Sequence, residues 1–141
     1  MYTATLPVLF FIIAVVNGGK DKPIFDEDIQ EIIQTVHDEC VSKTGVAEDD
    51  ITNCEKGIFK EDQKLKCYMF CLMEEANLLD DDDNVDYDTL VGMMPEAYQE
   101  RTAKMILGCK HNDVPGKDKC QNSFDVHKCS FDTDPDLYFL L

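Results

Sequence analysis

The sequence predicts an all-α fold of about six helices. Three observations carry this. Apolar residues recur at helical spacing in successive segments, Gly and Pro punctuate the gaps between them, and no stretch shows convincing period-two alternation. The most informative segment is Lys64–Asn77 (KLKCYMFCLMEEAN), which has no Gly or Pro and few β-branched residues. Cys67 and Cys71, four residues apart, fall on one face of that helix, one turn from each other. A helix with two same-face cysteines can be tied to two different segments, so it reads as a central post, with Leu65, Met69, Leu72 and Met73 on its apolar side.

Before the helices comes a leader. Leu6–Val16 is a short apolar run followed by Asn17-Gly18-Gly19, with Val16 and Gly18 at the −3 and −1 positions of a signal-peptidase site. The run is too short for a membrane span of about 20 residues. Residues 1–18 are therefore expected to be a signal peptide cleaved after Gly18 or Gly19, although no Lys or Arg precedes the run; the alternative is a buried N-terminal helix or strand. Residues 19–141 then form one domain, expected to be secreted and without a membrane anchor.

In chain order, Ile29, Ile32, Ile33, Val36 and Cys40 mark one face of a first helix. Asp26, Glu27 and Asp28 favour its N-terminus through the helix dipole, and Thr44-Gly45 ends it. A short second helix spans Ala47–Asn53 with Ile51 and Cys54 inward, stopping near Gly57. Ile58 and Phe59 lie in a connector, and the central helix runs from about Glu61 to Asn77. Asp80–Asn84 is a turn. A fourth helix covers Tyr87–Met94, with Leu90, Val91 and Met94 inward, and breaks at Pro95. A fifth covers Ala97–Lys110, carrying Tyr98, Met105, Ile106 and Cys109. After the turn Asn112–Gly116, a sixth covers Lys117–Cys129 with Cys120, Phe124 and His127, and Asp134-Pro135-Asp136 closes it. Leu137-Tyr138-Phe139-Leu140-Leu141 is an apolar tail.

The net charge of −16 with 44% hydrophobic residues describes a globular protein with a strongly anionic surface. Such a surface repels nucleic acid and anionic membranes and favours a monomer or weak homodimer. The sequence has no Gly-x-Ser-x-Gly, His-Glu-x-x-His or phosphate loop, and lacks the Cys-Cys-x-x-His of small secreted phospholipases, so no enzymatic activity is expected. Asp80, Asp82 and Asn84 occupy positions 1, 3 and 5 of an EF-hand-like loop. Val85 replaces its Gly, however, and Val91 replaces its bidentate Glu, so calcium is not expected. Cys109-x-His111 and His127-x-Cys129 lack the Cys-x2-Cys spacing of structural zinc. Neither a metal nor a cofactor is assigned.

Setting Cys54 aside, the six cysteines Cys40, Cys67, Cys71, Cys109, Cys120 and Cys129 are separated by 26, 3, 37, 10 and 8 residues. Six cysteines allow 15 pairings, and spacing alone does not choose among them. This spacing resembles that of the insect odorant-binding protein family, including its pheromone-binding members. The gaps of three and eight residues are the most specific marks. Glu39-Cys40 through Thr44-Gly45-Val46, Leu65–Cys71 and Asn84-Val85-Asp86 add to the resemblance, which covers nearly all of residues 19–141. It implies three interlocked bridges, Cys40–Cys71, Cys67–Cys120 and Cys109–Cys129. It also implies helices around an apolar cavity, and a carrier of small hydrophobic ligands such as odorants or pheromones, with a chemosensory membrane receptor as partner. A non-olfactory secreted scavenger or interaction protein is the alternative, and a small secreted lipid hydrolase a remote one. Cys54 is outside the six. A buried free thiol is the favoured reading, an intermolecular bridge the other.

A cavity of roughly 300 Å³, the small end of ligand pockets, would cost about 7 kcal/mol at ~24 cal/mol per Å³. Three bridges contributing roughly 2–4 kcal/mol each can offset that. The candidate ligand contacts are Leu65, Tyr68, Met69, Leu72, Met73, Val91, Met94, Tyr98, Met105, Phe124, Phe131, Tyr138 and Phe139. Tyr68, Tyr98 and Tyr138 are candidates for orienting a ligand, and the methionines for an adaptable lining. Taken singly, Met and Phe residues at such positions are more often plain core than pocket. The tail is expected to be buried, as a wall or lid of the cavity, with packing on the outer surface or in a dimer as the alternative. A histidine at the cavity mouth would act as a proton switch; a solvated surface histidine is the alternative for each.

Overall fold

The computed structural model describes residues 21–141. The expected leader and its cleavage site lie outside the described residues. Six α-helices follow in order: α1 Glu27–Thr44, α2 Glu48–Cys54, α3 Gln63–Glu75, α4 Tyr87–Gly92, α5 Glu96–Leu107 and α6 Lys119–Thr133, with a 3-10 turn at Lys110–Asn112 between the last two. Among the described residues, the only β-type pairing is the single antiparallel bridge of Leu79 to Val85.

The helix ends follow local chemistry. Asp26, Asp62, Asp86 and Asp118 cap α1, α3, α4 and α6, each accepting from a main-chain N–H of the first turn. Gly45, at φ 70°, ends α1 and returns its N–H to the Val41 carbonyl. The fifth helix stops at Leu107, three residues short of the expected end, because the chain tightens into the 3-10 turn after Gly108. The sixth begins at Lys119 rather than Lys117, since Asp118 caps it, and it runs on to Thr133.

The central post is α3, which packs between α1 and α6. It carries the largest share of the core: Leu65, Tyr68 and Met69 are fully buried, and Leu72 nearly so. Three disulfides join the elements. Cys40–Cys71 ties α1 to α3, Cys67–Cys120 ties α3 to α6, and Cys109–Cys129 ties the end of α5 to α6, with Cα–Cα distances of 5.7, 4.5 and 5.7 Å. The loops they close span 31, 53 and 20 residues, a chain-entropy effect of about 3–4 kcal/mol each. Cys54 is a free, buried thiol.

Two expectations about the core are corrected. Ile32 is 54% exposed, while Ile29 and Ile33 on either side of it are half-buried, so the buried face of α1 leaves Ile32 out. Leu90 and Val91 are only half-buried; α4 has just six residues and no buried position of its own, and Met94 beyond its end is the buried one.

Candidate functional site

The candidate site is a partly open cavity of about 120 Å³ lined by α3, α4, α5, α6 and the tail. From α3 come Leu72 and Met73. Val85, Tyr87, Leu90 and Met94 close one end, and Thr102, Met105 and Ile106 of α5 and Ser123, Val126, His127 and Ser130 of α6 form the walls. Leu137–Leu141 form the remaining wall. The volume is well under the expected 300 Å³, because the tail and the methionines fill space that a more open bundle would leave. At ~24 cal/mol per Å³ its cost is about 3 kcal/mol, which any one of the three bridges would offset.

The tail is aimed here by a polar hinge. Arg101 on α5 grips Asp134 with two parallel bonds of 2.6 and 2.7 Å and reaches Asp21 at 2.9 Å. Asp134 in turn accepts from the Leu137 N–H, and its main-chain oxygen from Tyr138 N–H. The Arg101 guanidinium holds the Asp134 carboxyl below the usual range. Beyond the hinge, Leu137 and Tyr138 are essentially buried. Past Tyr138, Leu140 and Leu141 lie between the cavity and an open groove lined by Pro23, Ile24, Phe25 and Ile33.

Two histidines hold the tail. On α1, His37 Nδ1 is 2.7 Å from the Tyr68 hydroxyl and 3.2 Å from the main-chain oxygen of Leu141, and its Nε2 is 2.9 Å from Glu48. The Tyr68 hydroxyl also donates to the Leu141 oxygen. Partial burial of His37 opposes its charge, but the bonds to Glu48 and Leu141, with the nearby carboxylates of Glu48 and Asp38, outweigh it, and the pKa is raised. On α6, His127 Nδ1 meets the Tyr138 hydroxyl at 2.9 Å. Burial pulls its pKa down to about 4.

Of the anticipated ligand contacts, Leu72, Met73, Met94, Met105, Tyr138 and Phe139 line the cavity. The other seven lie elsewhere. Leu65 and Met69 face the core of α3 against its neighbours, and the Tyr68 hydroxyl is taken by Leu141 and His37. Phe124 and Phe131 stack edge-on around Phe59, with centroids 6.0 and 5.9 Å away, so the connector phenylalanine occupies the space they would have opened. Tyr98 packs against the core, and Val91 is half-buried outside the cavity. Residues not anticipated include Thr102, Ser123, Val126, His127 and Ser130. Four of these fall at i, i+3, i+4 and i+7 on α6, a helical stripe disguised by two serines and a histidine.

No group of metal-ligating side chains able to hold an ion occurs among the described residues. The sulfurs of Cys109 and Cys129 are joined to each other. In the acidic turn, Asp80 accepts from the N–H groups of Asp82 and Asn84, so its carboxylate serves the turn itself.

The model of the PBP/GOBP family matches residues 23–133. The chain belongs to this family. It is one of odorant-binding carriers of small hydrophobic ligands, not of enzymes. Among curated PBP/GOBP relatives, general odorant-binding protein 69a of Drosophila melanogaster is 22% identical over 125 residues, covering 88% of this chain and 80% of its own. The B1 protein of Tenebrio molitor is 25% identical over 117 residues, covering 82% and 87%. Among solved structures, odorant binding protein 4 of Chrysopa pallens superposes with a TM-score of 0.71 at 29% identity, over 84% of this chain and 99% of that one. Odorant binding protein 5 of Apis mellifera, at 20% identity and covering 84% and 99%, gives 0.72 and shares the fold. Within the PBP/GOBP fold of the present chain, no helix among the described residues is long and apolar enough to cross a membrane.

Proposed function

We propose that this protein is a secreted carrier that takes up small, semivolatile hydrophobic ligands such as odorants or pheromones and moves them through an aqueous extracellular fluid to a chemosensory membrane receptor. The observation that carries the reading is the cavity itself: a mostly apolar hollow of about 120 Å³, walled by three crosslinked helices and covered by an apolar tail. An odorant-binding protein of the same fold from Anopheles gambiae is described in complex with an azo compound, which supports uptake of small apolar molecules by this architecture. The leader read in residues 1–18 supports secretion, and the net charge of −16 supports a soluble monomer or weak homodimer.

Burying about 200 Å² of ligand carbon at ~25 cal/mol per Å² yields about 5 kcal/mol, a Kd on the order of 0.1–1 mM. Tighter ligands must be larger, and a larger ligand must displace the tail or repack Met73, Met94 and Met105. The tail therefore acts as a lid. Displacement of an apolar fluorophore by a panel of odorant-sized compounds tests the reading. A carrier gives stoichiometric, reversible binding that chelators do not alter. Turnover of a lipid ester, or no binding by any apolar compound, would overturn it.

A further inference from the structure

A second apolar surface shares the tail with the cavity. It is an open groove of about 500 Å³ whose apolar lining includes Ile24, Phe25 and Ile33 with Phe139, Leu140 and Leu141. The last three also line the cavity, so the tail is a wall common to both spaces. The groove is fixed in shape by its borders. The Asp21 N–H donates to the main-chain oxygen of Asp136 at 3.0 Å, and the Phe25 and Phe139 ring centroids are 5.9 Å apart. Its polar lining is already engaged. Gln30 gives an amide hydrogen to the Phe25 carbonyl at 2.7 Å and Gln34 one to Asp38 at 2.9 Å, while Lys22 pairs with Glu55. Ile24, by contrast, is 83% exposed.

The charge beside the groove is of one sign. Gln30, Ile33 and Gln34 present one stripe of α1 to it. Glu27, Glu31 and Asp38 lie one turn from these positions on the same helix, and all three are exposed. Among the described residues no Lys or Arg pairs with any of them. From Asp26 to Ser42 the chain has six carboxylates and no Lys or Arg.

These features choose among occupants. A second copy of the chain would bring two such carboxylate stripes together, and an anionic bilayer would be repelled in the same way. A small apolar molecule in an open groove would keep one side in water and gain little from burial. The groove is bordered by helix and arm, with no strand edge to pair an extended peptide. A helix with an apolar stripe flanked by lysines or arginines matches both the lining and the charge. We propose that the groove docks a basic amphipathic helix of a partner protein, its apolar stripe on Phe25, Ile33 and the tail and its cations against Glu27, Glu31 and Asp38. The docked helix and a ligand in the cavity would then bear on the same three tail residues, so docking should alter ligand exit. That consequence rests on the carrier reading above; the docking does not.

The test uses the oxidised protein and three synthetic peptides of about 15 residues, titrated by amide NMR: an amphipathic leucine–lysine helix, its leucine–glutamate counterpart, and a leucine–lysine peptide of scrambled order. The first should shift the amides of Phe25, Ile33 and Leu141. The glutamate peptide should not bind, and the scrambled one should bind at least about tenfold more weakly. Ile24→Ser should weaken the first peptide about three- to tenfold, and Glu27→Gln/Glu31→Gln/Asp38→Asn about tenfold. The equal charge change Asp81→Asn/Asp82→Asn/Asp83→Asn, in the acidic turn outside the groove, should alter it less than about twofold. No shift with the lysine helix overturns the proposal. Equal losses in the two triple variants with none in Ile24→Ser, or a scrambled peptide that binds as tightly, reduces the contact to diffuse charge and overturns it too. Shifts of the same amides with protein concentration alone would assign the groove to a second copy, and shifts there with an apolar fluorophore alone would assign it to a ligand; either overturns it. Docking that leaves the release of a cavity-bound fluorophore unchanged overturns the coupling through the tail. If no fluorophore binds in the cavity, the carrier reading fails, and the peptide titration still decides the docking surface.

Discussion

Tyr68, on the central helix, donates its hydroxyl to the main-chain oxygen of Leu141, 73 residues downstream. The contact fastens the far end of the tail to the central helix, which two disulfides tie to α1 and α6. Tyr68→Phe leaves the ring in place and removes the clasp, at a loss of about 0.5–1.5 kcal/mol. Dissociation of a bound apolar fluorophore, followed by stopped flow, should then accelerate about two- to tenfold. Deleting residues 136–141 should accelerate it further and change probe affinity. An unchanged rate in both variants would mean that the tail does not govern exit.

The same clasp responds to the charge on His37. Glu48 accepts from Nε2, and if the Tyr68 hydrogen goes to Leu141, Nδ1 must carry a hydrogen too. The clasp is therefore complete when His37 is charged. When the ring is neutral, with its hydrogen on the Glu48 side, Nδ1 becomes an acceptor and competes with Leu141 for the Tyr68 hydrogen. Because the folded pKa is raised, this stabilisation is fully present below the unfolded value of about 6.5. It is lost as pH rises through the higher folded value. Probe dissociation should be slower at mildly acidic pH than at pH 8, and His37→Gln should flatten that difference.

His127 shifts the opposite way, with the opposite consequence. Its folded pKa is about 4 against an ordinary 6.5, so its contribution to stability is full above 6.5 and is lost as pH falls toward 4, by about 3 kcal/mol in all. An NMR titration should show the His127 ring neutral until near pH 4 while His37 titrates above its ordinary value. His127→Phe should reduce the fall in Tm between pH 6.5 and 4 relative to the wild type. Equal midpoints for the two rings would contradict the burial of His127.

The order and type of the helices were legible because each apolar stripe is bounded by a capping Asp or by Gly or Pro, and such local signals survive folding. The cavity was less so. Leu72, Met73, Met94 and Met105 were found because ligand contacts were sought among large apolar residues. The α6 stripe of Ser123, Val126, His127 and Ser130 was passed over, since two serines and a histidine lower its hydropathy while its spacing remains helical. Tyr68 is the converse case. Nothing local tells a tyrosine whose hydroxyl ties down a tail from one that touches ligand; the partner lies 73 residues away. The size of the hollow was also beyond a pattern of helices, because it depends on how far Leu137–Leu141 fold inward and on Phe59 filling the space between Phe124 and Phe131.

Cys54 provides the last prediction. Its side chain is buried in α2 and donates to the Asp50 carbonyl at 3.3 Å. Burial, with the negative charges of Asp50 and Glu55, pushes the thiol up to about 12. At pH 8 its thiolate fraction is then about a thousandfold below that of an exposed cysteine, and the thiolate is the reactive form. Iodoacetamide should leave the native oxidised protein unmodified. Unfolding without reductant should admit a single label at Cys54, and reduction six more at the bridged cysteines. Rapid labelling of the native protein would place Cys54 at the surface, and a covalent dimer with no label after unfolding would show it engaged in an intermolecular bridge. Cys54→Ala, which removes one sulfur from a fully buried site, should lower stability modestly, by about 1 kcal/mol, and leave probe binding unchanged, because α2 contributes no wall to the cavity.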